Sequence, residues 1–262
     1  MIQYLMKILK ISNQKNTQMN KFWSESAEKK HFWIVWRFKF LIKELIEQKI
    51  HLSKNLKIMD LGCGNGVLSN QIESCYSVKI DRVDSSEKML NQNKKIKGKL
   101  ICYNTSEKNK KIKNKYDIIF LFDVLEHIKN DKKFLNDALY HIKPGGLLVL
   151  NVPSLDFFYS KYDVAVGHVR RYSKASFEKV AKAHAVDIIS IKYWGFLLVP
   201  VLALRKFSLI FFKQKKYDEI VKHGWKVNFL LNHLMKFIMK LELGLFPNLI
   251  IGTSLMMIVQ KK

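Results

Sequence analysis

The run Met59-Asp60-Leu61-Gly62-Cys63-Gly64-Asn65-Gly66 constrains this chain more than any other feature. Glycines at alternate positions allow positive φ and let a ligand lie close against the backbone. The run follows a short apolar stretch, Lys57 to Leu61, and precedes Val67 to Glu73, whose apolar spacing is helical. A glycine turn between a buried strand and a helix opens a βα unit. It leaves backbone N–H groups free at the start of the helix, where ligands bind.

The alternation continues. Tyr76 to Asp84 reads as a strand, Ser86 to Asn93 as a helix, and Lys99 to Tyr103 as a strand. Lys108 to Lys115 reads as a solvated loop. Tyr116 to Phe122 (YDIIFLF) is a nearly continuous apolar strand. Asp131 to Ile142 reads as a helix stopped at Pro144-Gly145-Gly146, and Leu147 to Val152 as another buried strand. Strands that are apolar on both faces argue for a parallel sheet covered on both sides. Farther on, Ser173 is placed to cap a helix over Lys174 to His184, and Ile188 to Trp194 and Leu249 to Val259 read as strands. The predicted organisation is an N-terminal extension and helical lid over residues 1–50, then one α/β domain over 51–262 with a helical insertion at about 195–247.

Charge is the second constraint. Lys+Arg number 46 against 22 Asp+Glu, a formal net charge of +24. Such a surface is drawn to something anionic: phospholipid, nucleic acid or an acidic substrate. The segment Glu87 to Lys115 alone holds ten Lys and two Glu. Arg205 to Lys226 interleaves basic residues with Phe207, Phe211, Phe212, Tyr217 and Trp225, the composition of an interfacial helix. The other reading of that segment is a packed helical hairpin. No stretch reaches the eighteen or so apolar residues of a spanning helix. The start, MIQYLMKILKI, carries Lys7 and Lys10 in its apolar run and makes a poor signal peptide. It reads as a short interfacial helix or as an upstream extension. Cys63, Cys75 and Cys102 suit neither a disulfide framework nor a zinc site, so a reducing cytoplasm and no metal are expected.

Two acids frame the glycine turn. Asp60 precedes it, where a carboxylate would repel a dinucleotide's diphosphate and suit an amino group instead. That argues against a nicotinamide cofactor, as does the G-x-G-x-G spacing. Asp84, ending the second strand, can accept both hydroxyls of a ribose; its plainer role is to cap the following helix.

In these motifs the chain resembles the class I S-adenosylmethionine-dependent methyltransferases. The ordered segments are MDLGCGNG (Met59–Gly66), VDSSEKML (Val83–Leu90), YDIIFLFDVLEHI (Tyr116–Ile128) and IKPGGLLVLNVPS (Ile142–Ser154). The resemblance implies a Rossmann-like seven-stranded sheet of order 3-2-1-4-5-7-6 with helices on both faces. Its last strand, alone antiparallel, would lie in LIIGTSLMMIVQKK. It implies S-adenosyl-L-methionine as cofactor. Asp60, Gly62, Cys63 and Gly64 would hold the methionine part and Asp84 with Ser85 the ribose. Asn104 and Thr105 would lie beside adenine, where the family often has an acid, and Phe122 and Asp123 beside the sulfonium.

A narrower likeness joins Lys30-His31-Phe32-Trp33 with Trp36-Arg37 to a later segment, Tyr162-Asp163 and Gly167-His168-Val169-Arg170-Arg171-Tyr172. It resembles relatives of the ubiquinone-pathway O-methyltransferases and enzymes of glycan and lipid pathways. By that likeness Arg37 would clamp the cofactor carboxylate, or rest as a surface Arg beside the tryptophans. His168 would act as a general base, with Arg171 and Tyr172 binding an anionic acceptor. Alternatively the arginines are solvated and Tyr172 packs inward. His127 is either catalytic or structural.

The implied activity is methyl transfer to O or N of a small, amphipathic or lipid-linked acceptor. The protein would be cytoplasmic, with a peripheral site on an anionic membrane. Nucleic acid is a poorer acceptor. The fourth-strand end, FLFDVLEH, has no [DNS]-P-P-[YF] turn, and no Cys follows Pro. A binding protein without catalysis would share the cofactor site.

Overall fold

The computed structural model describes residues 8–10, 31–211, 227–246 and 248–262. The strands are β1 (Leu9–Lys10), β2 (Ile58–Leu61), β3 (Ile80–Asp84), β4 (Leu100–Cys102), β5 (Tyr116–Phe122), β6 (Ile142–Pro153), β7 (Val186–Trp194) and β8 (Ser254–Lys261). The helices are α1 (Phe32–Glu47), α2 (Val67–Cys75), α3 (Glu87–Leu90), α4 (Asp131–His141), α5 (Lys161–Val166), α6 (Lys174–Lys182), α7 (Val199–Phe211) and α8 (Phe229–Leu245).

One sheet runs β1-β4-β3-β2-β5-β6-β8-β7. Every pairing is parallel except those of β8 with β6 and β7. Without β1 this is the expected seven-stranded order 3-2-1-4-5-7-6. The extra edge strand sets Leu9 and Lys10 beside Ile101 and Cys102. So part of the N-terminal run extends the sheet rather than forming an interfacial helix.

Apolar residues of the central strands pack on both faces. On one face α1 supplies Trp36, Phe40, Leu41 and Leu45, which meet Ile58, Phe120, Trp194 and, from α8, Met235 and Met239. On the other, Phe134, Leu135 and Ala138 of α4 and Phe177 of α6 meet Ile119, Leu121, Leu148 and Leu150. Trp194 lies among Trp33, Trp36 and Phe40, with ring centroids 5.8, 6.1 and 6.0 Å away. Its indole N–H donates to Asn151 at 2.8 Å. Truncating a buried aromatic such as Trp36 would cost about 3–5 kcal/mol, so α1 is fastened to the domain.

Several elements differ from the sequence expectation. The helix expected over Ser86–Asn93 is one turn, Glu87–Leu90, capped by Ser86. Asn91 and Asn93 are weak helix formers, and the Asn93 side chain turns back to the glycine loop. The third strand begins at Ile80 and the last at Ser254, later than their apolar runs begin. Pro144-Gly145-Gly146 does not separate α4 from its strand; it lies within β6, where the register against β5 shifts between Tyr116 and Ile118. A Cβ on Gly146 would stand 2.9 Å from the Asp117 carbonyl, so glycine permits that close approach. The lysine-rich loop contains a single turn, Lys110–Ile112, that buries Ile112.

Between β7 and β8 the chain forms α7 and α8. Glu242 of α8, 1% exposed, accepts from the backbone N–H of Gly195 at 2.7 Å and of Leu197 at 2.8 Å. This anchors the insertion at the carboxyl end of the sheet. Phe212, Tyr217, Trp225 and the lysines among them lie outside the described residues. Among the described residues no helix is long and apolar enough to cross a membrane.

Candidate active site

Strands β2 to β6 end at one edge of the sheet, the edge at which open α/β sheets bind ligands. Gly62, Gly64 and Gly66 take φ of 76°, 55° and 74°, so the turn needs its glycines. The N–H groups of Gly62 and Cys63 both donate to the Val83 carbonyl, at 2.8 and 3.0 Å. Gly64 donates to Asp84 at 2.9 Å, and Ser86 donates to the other Asp84 oxygen at 2.8 Å. Asp84 therefore supports the glycine turn with one oxygen and holds the backbone of Ser86, the cap of α3, with the other.

Asp60 is buried and accepts from the Ser69 hydroxyl at 2.7 Å. Burial raises its pKa to about 6, against the Ser69 hydrogen bond and the cations Arg37 and Arg82. A buried, reluctant anion of this kind is ready to be paired by a ligand cation. Burial likewise raises the Asp84 carboxyl, and the backbone N–H groups that it accepts oppose the shift. Cys63 is half-buried between them; desolvation and then the two carboxylates push its thiol well up, so it remains a neutral side chain. Ser85 and Thr105 are half-buried at the ends of β3 and β4. Asn104 turns its amide to Glu107 at 2.6 Å and accepts from Ser106 N–H at 3.2 Å.

Arg37 of α1 forms an ion pair with Asp123, the residue after β5. Its guanidinium lies 5.1 Å from the centroid of Trp33 and 5.5 Å from that of Phe122. Asp123 has φ 57° and also accepts from the Asn151 amide at 2.7 Å. Arg37 is thus 8% exposed and faces the strand ends rather than solvent.

Beyond Asp123 a second cluster forms. His168 donates through Nδ1 to Asp163 at 3.0 Å, and its Nε2 lies 3.8 Å from Glu126. His127 meets His168 edge-on at 4.9 Å and donates through Nδ1 to the Gly167 carbonyl at 3.0 Å. Desolvation, then the neighbouring His168, lower the His127 pKa to about 4. One edge of the ring is open to solvent, which blunts this shift, but its direction keeps the ring neutral. Burial, then Asp123, raise Glu126 well above the carboxylate range, and its Oε2 has no hydrogen-bond partner among the described residues. No metal was expected, yet Glu126, His127 and His168 bring three ligand atoms within 4.8 Å of one another and could hold a cation.

Arg171 and Tyr172 were expected to receive an anionic acceptor or, alternatively, to be solvated and packed inward respectively; in the structure both are paired with acids of this chain. Arg171 is 8% exposed and donates to Asp163 at 2.8 Å and to the Ser154 carbonyl at 3.0 Å. Tyr172 is 1% exposed and donates to Asp131 at 3.0 Å, which Arg170 also engages at 2.7 Å. Both side chains face inward because acids of this chain claim them, Asp163 eight residues before Arg171 and Asp131 forty-one before Tyr172. Sequence reasoning gave no role to Asp163, Asp131, Asn151 or Asn93. Asp163 had a visible signal: Ser160-x-x-Asp163 is a capping box, and it forms at the start of α5.

A family model described as a methyltransferase domain matches residues 33–191, more than half of the chain. The chain belongs to this family. This methyltransferase is 28% identical over 118 residues to the ubiquinone biosynthesis O-methyltransferase of Rickettsia canadensis (strain McKiel), covering 44% of this chain and 50% of that protein. It is 27% identical to the mitochondrial ubiquinone biosynthesis O-methyltransferase of Schizosaccharomyces pombe (strain 972 / ATCC 24843), covering 50% of each. The chain spans about half the length of these relatives.

Among solved structures, a putative sarcosine dimethylglycine methyltransferase from Galdieria sulphuraria superposes with a TM-score of 0.57 at 17% identity, covering 87% of this chain and 86% of that one. Phosphoethanolamine N-methyltransferase 2 of Haemonchus contortus, in complex with S-adenosyl-L-methionine, gives 0.51 at 16% identity, covering 83% and 51%. These likenesses carry the fold.

The methyltransferase is of the class I, S-adenosylmethionine-dependent kind. The site's chemistry fits that cofactor. Two buried carboxylates, Asp60 and Asp84, the chemistry that ammonium groups and ribose hydroxyls pair with, flank a turn whose glycines have positive φ.

Proposed function

We propose that this methyltransferase methylates a hydroxyl, or alternatively an amine, of an amphipathic or lipid-linked acceptor. The observation that carries this reading is His168, held by Asp163 and set beside Glu126 beyond the end of β5, at the same carboxyl end of the strands where the apolar insertion is anchored. The donor supplies an electrophilic methyl group on sulfonium. The chain's own task is then to position the acceptor in line and to take its proton.

In this reading Asp60 receives the cofactor's ammonium group, Arg37 its carboxylate and Asp84 its ribose. Cys63, Ser85, Asn104 and Thr105 line the nucleoside side, and Phe122 and Asp123 border the sulfonium. His168 keeps its Nδ1 proton on Asp163, so the Nε2 lone pair is the proton acceptor. A neutral Glu126 beside Nε2 leaves that lone pair unpaired by charge. Arg171 and Tyr172 act indirectly, by fixing Asp163 and Asp131. A hydroxyl acceptor is favoured by the relatives named for O-methylation.

The lipid-linked character of the acceptor rests on the surface. Thirteen of the nineteen large apolar side chains exposed among the described residues fall between Phe196 and Ile250. They include Leu204 at 70%, Phe229 at 74% and Leu230 at 76%. Soluble surfaces seldom expose so much apolar area in one segment. With the basic residues around it, such a face suits the interface of an anionic membrane. The protein would then be cytoplasmic and peripheral. Labelled donor incubated with protein and separate lipid, metabolite and RNA fractions tests the proposal. Label in the lipid fraction is expected, and label in RNA alone would replace it with the nucleic-acid reading.

A further inference from the structure

We infer that Asn93 is a positioning residue for the cofactor, acting through the Gly64 carbonyl. The inference rests on placing the cofactor at the Gly62–Gly66 turn. Gly64 is gripped from both sides: its N–H donates to Asp84 at 2.9 Å, and its carbonyl accepts from the Asn93 amide at 2.9 Å. Asp84 thus holds the peptide before the Gly64 Cα and Asn93 the peptide after it, so the two together fix the dihedrals of Gly64 and the place of its N–H against the Asp84 carboxylate.

Asn93 is itself held. Its Nδ2 also donates to the Met89 carbonyl at 3.2 Å, and its Oδ1 accepts from Arg82 at 3.1 Å. Arg82 is fully buried in β3 and donates to Glu73 at 2.6 Å, Asn70 at 3.0 Å and the Lys94 carbonyl at 3.3 Å. A buried ion pair thus orients one amide oxygen, and the amide nitrogen is left to face Gly64. Gly66 completes the arrangement. A Cβ there would stand 1.9 Å from Asn93 Oδ1 and 2.8 Å from Arg82 Nη1, so this glycine makes room for the buttress as well as for the turn.

The chain makes this contact by breaking a helix. Had α3 continued to Asn93, as the apolar spacing of the segment suggests, the amide would point along the helix surface. Instead α3 stops at Leu90 and Asn93 folds back.

Asn93→Asp tests the role, because the carboxylate keeps an oxygen for Arg82 but turns an acceptor onto the Gly64 carbonyl. Calorimetry with S-adenosylhomocysteine should show Kd rising about tenfold or more in Asn93→Asp and in Asn93→Ala. Ile72→Val, a core change without polar contacts, should lower the melting temperature and leave Kd unchanged. Asp84→Ala checks the site itself. If Asp84→Ala weakens binding while both Asn93 variants bind within twofold of the wild type, the inference is overturned and the site stands. If Asp84→Ala also binds normally, the site placement fails with it. If Kd follows the melting temperature across all variants, Ile72→Val included, Asn93 serves stability alone and the inference is overturned.

Discussion

Arg37 and Asp123 close the carboxyl edge of the sheet with an ion pair that joins α1 to the end of β5. Trp33 and Phe122 flank the guanidinium. A cation held there by one carboxylate can be shared with a second, and the cofactor brings one. Arg37→Ala should therefore weaken S-adenosylhomocysteine binding about tenfold to a hundredfold, the range for one charged hydrogen-bonding group. Calorimetry reads this directly. Affinity equal to the wild type would make the pair a purely structural tie.

Asp60 gives a pH dependence with a definite sign. Its pKa rises on folding from 3.8 to about 6, so between those values the native state holds the extra proton. Stability from this group is complete below about pH 4 and is lost as pH rises through 6. The loss is on the order of 3 kcal/mol. Asp60→Asn keeps an acceptor for Ser69 and never ionises. It should melt higher than the wild type at pH 8, no higher near pH 4, and bind the cofactor more weakly. Thermal melts across that range decide it, and equal melting at pH 8 would show that the buried charge costs nothing.

Much of this was legible from residues and much was not, for one physical reason. Strands such as Tyr116–Phe122 and the glycine turn announce themselves through local pattern, since burial on both faces and positive φ restrict residue type. The two-residue β1 has no such pattern; its place depends on a free edge of β4. Arg171 and Tyr172 are residue types that bind anions, and they do, but the anions are Asp163 and Asp131. Which acid stands opposite is a property of the packed chain. Asn93 was hidden because its neighbours look helical, and only the folded turn brings it to Gly64.

His168 is the group on which turnover should depend. His168→Ala should bind S-adenosylhomocysteine as the wild type does and lose about 10²-fold or more in rate once the acceptor is in hand. Arg171→Ala should lower the melting temperature rather than raise the acceptor's KM, because it leaves Asp163 buried without that partner. Undiminished turnover in His168→Ala would assign catalysis to positioning alone.

The insertion should hold the protein on anionic vesicles. Lysines near such a surface contribute about 1 kcal/mol each, a part that salt screens. The apolar side chains contribute by burial, a part that salt leaves intact. Lys236 and Lys240 lie on the same helix as the exposed Leu230, Leu234 and Phe237, so both parts act together. Sedimentation with phosphatidylserine-containing vesicles should carry most of the protein at low salt and a reduced share at high salt. Neutral vesicles should carry little. Replacing Leu230, Leu234 and Phe237 with Ser should abolish the salt-resistant share and spare the melting temperature, since these side chains are more than half exposed. Lys236→Gln with Lys240→Gln should instead reduce the low-salt share. A protein that stays in the supernatant with anionic vesicles at low salt would mean that another surface covers α7 and α8, and the acceptor would then be sought among soluble metabolites.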